Sequence, residues 1–204
     1  MSERQHVIVG ISGASGAAIG SRIVERLAEH PHCAVHLVVS SAAEHTLAEE
    51  VGADALVRLR ASVFRYHDHS DVGACIASGS FPVLGMIVAP CSVRTLSAIA
   101  WGQLSDLVVR AADVQLKERR RLILLVRESP LHLGHLRSMA QAAEIGAIIA
   151  PPVPAFYMKP QSLAEAVDQI ACRAINLLDL PGLRAPATSW SGGMAESGDK
   201  TTVP

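Results

Sequence analysis

The stretch His6–Ala17, HVIVGISGASGA, decides the fold. Val7, Ile8 and Val9 form a continuous β-branched run, the pattern of a parallel strand covered on both faces. Gly10, Gly13 and Gly16 follow at a spacing of three, where glycine permits a tight turn and lets a ligand come close to the backbone. Ser12 and Ser15 add hydroxyls beside the free N–H groups of a coming helix. Such a helix start favours an anion, most often a phosphate.

The spacing differs from the dinucleotide fingerprint. That pattern needs G-x-G-x-x-G and an acidic residue after the second strand to hold a ribose hydroxyl. Here the second strand, Cys33 to Val39, runs into Ser40 and Ser41 with no carboxylate. A mononucleotide such as FMN fits better, because it has one phosphate to place.

Outward from this stretch the chain alternates strand and helix. Apolar residues at helical spacing (Ile19, Ile23, Val24, Leu27) fill the segment up to Glu29, and a second helix covers Ala42 to Val51. Gly52 to Asp71 shows no clear period. It carries His67 and His69, a His-x-His pair with no third ligand in view, and reads as a solvated loop without a metal. IASGSF (residues 76–81) is a small-residue loop, and PVLGMIVA (82–89) is the third strand. PCSVRTLSAIA (90–100) turns into a hydroxyl-rich helix. Ser105 to Arg121 is helical, Leu122 to Val126 is the fourth strand, and RESP (127–130) follows at its carboxyl end. A helix around His132 to Ala143, a fifth strand at Gly146 to Ala150, a proline-rich loop (151–160) and a helix from Ser162 to Leu178 complete the series. This cadence predicts an α/β fold with a doubly wound parallel sheet. Residues 1–180 would form one domain, with 181–204 a tail. Ligands of such sheets sit beyond the carboxyl ends of the strands. The turns at Gly13, Ser40, Ser92 and RESP should therefore converge on one site.

The 204 residues are half hydrophobic and almost free of aromatic rings, with a formal charge of −1, so nothing draws the chain to nucleic acid. The apolar share points to buried subunit interfaces. No apolar run reaches membrane-spanning length, and the charged start MSERQ is unlike a signal peptide, so a cytoplasmic protein is expected. Cys33, Cys75, Cys91 and Cys172 lack metal-type spacing and read as small buried hydrophobes.

GISGASGA, VVSSAAEHTLAEE, IASGSF, GMIVAPCSVRTLSAIA, RAADVQLKERR, RESPL and PAFYMKP, in this order, resemble the UbiX-type flavin prenyltransferases, once described as aromatic-acid or polyprenyl-hydroxybenzoate decarboxylases. The resemblance spans about His6 to Leu178. It implies a flavodoxin-like, Rossmann-like fold and a metal-independent transfer of the dimethylallyl group of dimethylallyl monophosphate to N5 and C6 of reduced FMN. It further implies a prenylated FMN product used by a UbiD-type decarboxylase, and a homo-oligomer, typically a dodecamer.

Carried over by position, the flavin site comprises Gly13, Ala14, Ser15, Ser40, Ser92, Val93, Arg94, Thr95 and Arg127. The allyl phosphate meets Ser78, Arg110, Lys117, Tyr157 and Arg173. Glu50 and Glu128 are the acid–base groups, with Ser15 beside the flavin. The chemistry suits these types. Guanidinium and ammonium groups stabilise charge growing on a departing phosphate. A carboxylate can move a proton if its surroundings tune it for the task, and both glutamates are expected to be buried. The bland reading of LKERRR is a solvated face; within it Lys117 is singled out over Arg119, Arg120 and Arg121. Two positions depart from the family pattern: RESPLHLGHL, and Trp101 where a small or polar residue is usual. Trp190 is a candidate aromatic cover for the flavin. The rival readings are an FMN carrier without chemistry and an FMN-dependent cysteine decarboxylase of the same fold.

Overall fold

Six parallel strands make one sheet in the computed structural model, which describes residues 4–187. The strands are β1 (Gln5–Ile11), β2 (Cys33–Val39), β3 (Arg65–His67), β4 (Gly85–Cys91), β5 (Arg121–Val126) and β6 (Ile148–Ile149). Their order is β3-β2-β1-β4-β5-β6, so the winding reverses between β1 and β4. Seven helices are described: α1 (Ala17–Ala28), α2 (Ser41–Glu50), α3 (Ala55–Ser62), α4 (Val93–Ala100), α5 (Leu107–Lys117), α6 (Leu133–Glu144) and α7 (Leu163–Leu177). Among them none is long and apolar enough to cross a membrane.

Every residue of β2 and β4 is buried, which is why those strands read as unbroken apolar runs. Side chains still alternate across the sheet. Val7, Val9 and Ile11 join the core beneath α1 and α7, together with Ile23, Leu27, Ala174 and Ile175. Ile8, Met86 and Val88 face the opposite core, with Val108, Ala111 and Leu96 from α5 and α4. Burying each of the Val, Leu, Ile and Met side chains among these stabilises by about 1.5–3 kcal/mol. The sheet is therefore a wall between two helix layers, and this wall later divides the candidate site residues.

Two expectations need correction. Residues 52–71 are not a solvated loop, since they contain α3 and the edge strand β3. Only Ala55 and Leu59 of α3 are buried, so no apolar stripe advertises it, and three residues of β3 are too few to show a period. Nor does packing end at 180. Leu180 and Leu183 are buried in the α1–α7 core, and the Asn176 amide donates to Ala185 O at 3.1 Å and accepts from Ala185 N at 2.9 Å. Leucine inside a Gly- and Pro-rich stretch was the available signal. Trp190 lies outside the described residues.

Candidate active site

At the β1/β4 reversal the carboxyl ends of the strands open a polar crevice of about 400 Å³. Four turns line it: Gly13 and Ala14 after β1, Ser40 after β2, Ser92 to Thr95 after β4, and Arg127 with Glu128 after β5. The convergence expected from strand order is therefore present. Ser40 and Ser92 cap α2 and α4 through Ala43 N and Thr95 N at 3.3 and 3.2 Å, and the first residues of both helices, Ser41 with Ala42 and Val93 with Arg94, line the opening. Arg94 and Arg127 are exposed and form no ion pair among the described residues. Partial positive charge from two helix ends and the guanidinium groups of Arg94 and Arg127 suit an anion on one side of the crevice, while Asp106 and Glu128 add two carboxylates to its lining.

The first turn works differently from its sequence reading. Ser12 is buried, and its hydroxyl donates to Pro90 O at 2.9 Å while accepting from Ser92 N at 2.8 Å. It fastens the end of β1 to the start of α4 and is not offered to a ligand. Gly13 is required by a neighbour: a Cβ there would stand 2.4 Å from Ala42 Cβ at the start of α2. Gly16 has φ +107°, a conformation that side chains disfavour. The N–H groups at the start of α1 are already occupied. Glu50, the last residue of α2, accepts from Gly16 N at 2.9 Å and Ala17 N at 2.7 Å. The anion at this helix start is thus a carboxylate of the chain itself, and the helix starts that line the crevice are those of α2 and α4.

The expected burial of the two glutamates is absent in the protomer. Glu50 is exposed as the last residue of α2, and Glu128, two residues past β5, is half-buried. Glu128 lines the crevice and accepts from Ser129 N at 3.0 Å. Ser15 is exposed beside the Glu50–Gly16 corner and does not line the crevice. Five lining residues were missed: Ser41, Ala42, His69, Ser105 and Asp106. His69 was assigned to a solvated loop, and Asp106 caps α5 by accepting from Val109 N at 3.0 Å. For Asp106 the cue was an acidic residue just before an apolar helical run.

The residues assigned to the allyl phosphate divide into two groups on opposite faces of the sheet. Ser78, Arg110 and Lys117 gather at the turn after Cys75–Ala77, on the α5 face. Arg110 Nε donates to Ala77 O at 3.2 Å, and Lys117 Nζ lies close over Gly79. Both cations are partnered, Arg110 by Asp113 at 3.0 Å and Lys117 by Glu118. Of the basic run, Arg120 takes a structural role, donating to Gly79 O and Phe81 O at 2.7 and 3.0 Å. Tyr157 and Arg173 line a separate groove of about 210 Å³ beside α7, walled by Leu125, Pro151, Ile170 and Leu177. Arg173 is exposed and has no ion-pair partner among the described residues. Within one protomer the two groups cannot grip one phosphate.

Trp101 is 58% exposed at the end of α4 and shares a surface depression with His132 and His135, whose rings stack at 3.6 Å.

A family model described as Flavoprotein matches residues 1–170. The flavin prenyltransferase UbiX of Escherichia coli K12 is 52% identical over 172 residues, covering 84% of this chain and 90% of that protein. The crystal structure of AnUbiX (PadA1) in complex with FMN and dimethylallyl pyrophosphate superposes with a TM-score of 0.86 at 41% identity, covering 93% of this chain and 99% of that one. A dodecameric FMN-dependent UbiX-like decarboxylase from Escherichia coli O157:H7 gives a TM-score of 0.84 at 40% identity over 92% of this chain and all of the other.

Proposed function

The chain belongs to the UbiX flavin prenyltransferase family, and from that premise we propose how its residues carry out the reaction. It is a flavin prenyltransferase with FMN as its flavin. The crevice volume lies in the usual range for small-molecule sites, about 300–1,000 Å³. Its donor set suits one phosphate monoester: two helix starts, the unpaired Arg94 and Arg127, and the hydroxyls of Ser40 and Thr95. Gly13 and Ala14 present backbone to the flavin, with Ser92 and Val93 opposite.

Reduced FMN supplies the nucleophilic positions N5 and C6. The chain's residues supply the rest. In the first step the N5–carbon bond forms, the carbon–oxygen bond to the phosphate breaks, and the N5 proton must leave. Glu128, lining the crevice beside Arg127, is placed to move that proton. Glu50, at the corner where α1 begins, is the second acid–base group, with Ser15 beside the flavin. Their role rests on the family pattern, and in the protomer Glu50 also anchors the turn that carries Gly13. Ser78, Arg110, Lys117, Tyr157 and Arg173 meet the phosphate of dimethylallyl monophosphate, where fixed positive charge offsets the charge that develops on departure.

A second copy of the chain completes that phosphate site. The observation that carries this is the division of the five residues by the sheet, supported by the dodecameric relative. The product passes to a UbiD-type decarboxylase in the cytoplasm.

The test is anaerobic. Protein, reduced FMN and dimethylallyl monophosphate are mixed, and the extracted flavin is weighed by mass spectrometry. One added prenyl unit is the expected result. Unchanged FMN from folded, flavin-loaded protein would overturn the donor assignment, and a parallel reaction with the pyrophosphate would show which donor replaces it.

A further inference from the structure

Away from the crevice, three strands and a turn bring together a set of metal-type ligands. His36 in β2 places Nδ1 2.9 Å from Nε2 of His67 in β3, and its Nε2 2.8 Å from Nδ1 of His6 in β1. Cys75, which opens the short turn Cys75–Ala77, brings its sulfur to the same point. The ligand atoms of His36, His67 and Cys75 lie within 4.8 Å of one another. Both imidazoles are buried, and Cys75 is half-buried. We propose that His36, His67 and Cys75 bind a zinc ion.

The donor set suits the metal. Zinc takes imidazole nitrogen and thiolate sulfur in tetrahedral sites, and the fourth position here is left to water. Two nitrogens on a tetrahedral zinc at about 2.0–2.1 Å each stand roughly 3.4 Å apart. The present 2.9 Å separation reaches that value with a small rotation of either ring. The tautomers also agree. With zinc on His36 Nδ1, the proton sits on Nε2 and donates to His6 Nδ1, the outer hydrogen bond that metal-bound histidines commonly make. Both imidazoles are buried, which disfavours their charged form, and zinc would replace the proton shared between His36 Nδ1 and His67 Nε2 by a shift of tautomer. Phe64 and Phe81 pack their rings 5.5 and 5.3 Å from His36 and form an apolar wall. On binding, the Cys75 thiol gives up one proton and no other group changes charge.

The His-x-His pair of the sequence is thus split by the strand. His67 points to this cluster, and His69 lines the crevice. The other two ligands, His36 and Cys75, lie 31 positions upstream and 8 downstream of His67, which no local spacing reveals. A zinc here would fasten the turn bearing Ser78 to the sheet, opposite the side where Arg110 and Arg120 already hold it.

Untagged full-length protein, equilibrated with zinc chloride and freed of excess by gel filtration, should carry one zinc per chain by elemental analysis. Competition with a chelator of known affinity should show at least tenfold weaker binding in Cys75→Ala and in His67→Gln. The cobalt-loaded protein should show a thiolate-to-cobalt charge-transfer band that Cys75→Ala lacks. Cys75→Ala removes one half-buried sulfur and keeps the test open if the buried His67→Gln fails to fold. Absence of stoichiometric zinc, or zinc held equally well by Cys75→Ala, would overturn the proposal and leave a hydrogen-bonded histidine string.

Discussion

The crevice proposed to hold the flavin and the residues proposed to meet the allyl phosphate are built in opposite ways. The crevice comes from four turns at one edge of the sheet, each a few residues past a neighbouring strand, and a single protomer assembles it. The phosphate residues come from two helix layers with the sheet between them. In the crevice Arg94 and Arg127 form no ion pair among the described residues, whereas Arg110 and Lys117 are neutralised by Asp113 and Glu118 until something competes for them. On the proposed function, one site is complete in the monomer and the other depends on assembly.

That contrast can be broken at either end. The largest effect is expected from Glu128→Gln. It should retain FMN and lose about 10²–10⁴-fold in rate, the usual contribution of a positioned acid–base group. Normal turnover in a single-turnover flavin assay would remove Glu128 from the chemistry. Arg173→Ala comes next. It should cost about 3–4 kcal/mol of transition-state stabilisation, as loss of one preorganised donor does, with FMN affinity unchanged. Equal loss of both ligands by titration would mean that the groove beside α7 and the crevice are one site after all.

Gly13→Ala attacks the crevice alone. A methyl group 2.4 Å from Ala42 Cβ must push α2 away, at about 1–3 kcal/mol of stability, and FMN affinity should fall with it. Chemical denaturation and flavin fluorescence would show both. The smallest effect concerns α7, the helix that carries Arg173. Its Asp168 bonds Arg26 at 2.7 Å and Arg22 at 2.6 Å on α1. Arg26 and then Arg22 hold the Asp168 carboxyl below the usual carboxylate range, against the opposing effect of burial. A depressed carboxyl stabilises the folded state above its ordinary pKa of about 3.9, and that stability is lost as pH falls through the folded value. Wild type should therefore lose its margin over Asp168→Asn only in strong acid, where melting curves of the two converge. A margin that vanished near neutrality would mean another group is responsible.

How far these two sites were legible follows from the same contrast. The β1 run, the glycine turn and the strand–helix cadence were enough to place four turns together, because parallel sheets of this kind gather their carboxyl ends whatever the side chains are. What the glycines and serines do there was not legible. Ser12 and Gly13 serve the packing of adjacent turns, and Glu50 fills the helix start that a phosphate was expected to take. Such contacts depend on which loops become neighbours. The five phosphate residues could be singled out through family motifs, but linear order does not say on which face a helix will pack. Nothing in LKERRR or in PAFY marks them as lying on opposite sides of a wall. The segment 52–71 was lost for a simpler reason: an exposed helix and a three-residue edge strand carry almost no hydrophobic period.

The central claim is that one protomer holds the flavin and a second completes the allyl-phosphate site. Complementation tests it most directly. Arg110→Ala and Arg173→Ala proteins are each purified, then co-assembled, and prenyl transfer is measured in the mixed oligomer. The account predicts that each variant alone is nearly inactive and that mixing restores activity, because some sites then draw an intact Arg110 from one copy and an intact Arg173 from another. Mixed assemblies as inactive as either parent would contradict it and place all five residues on one chain.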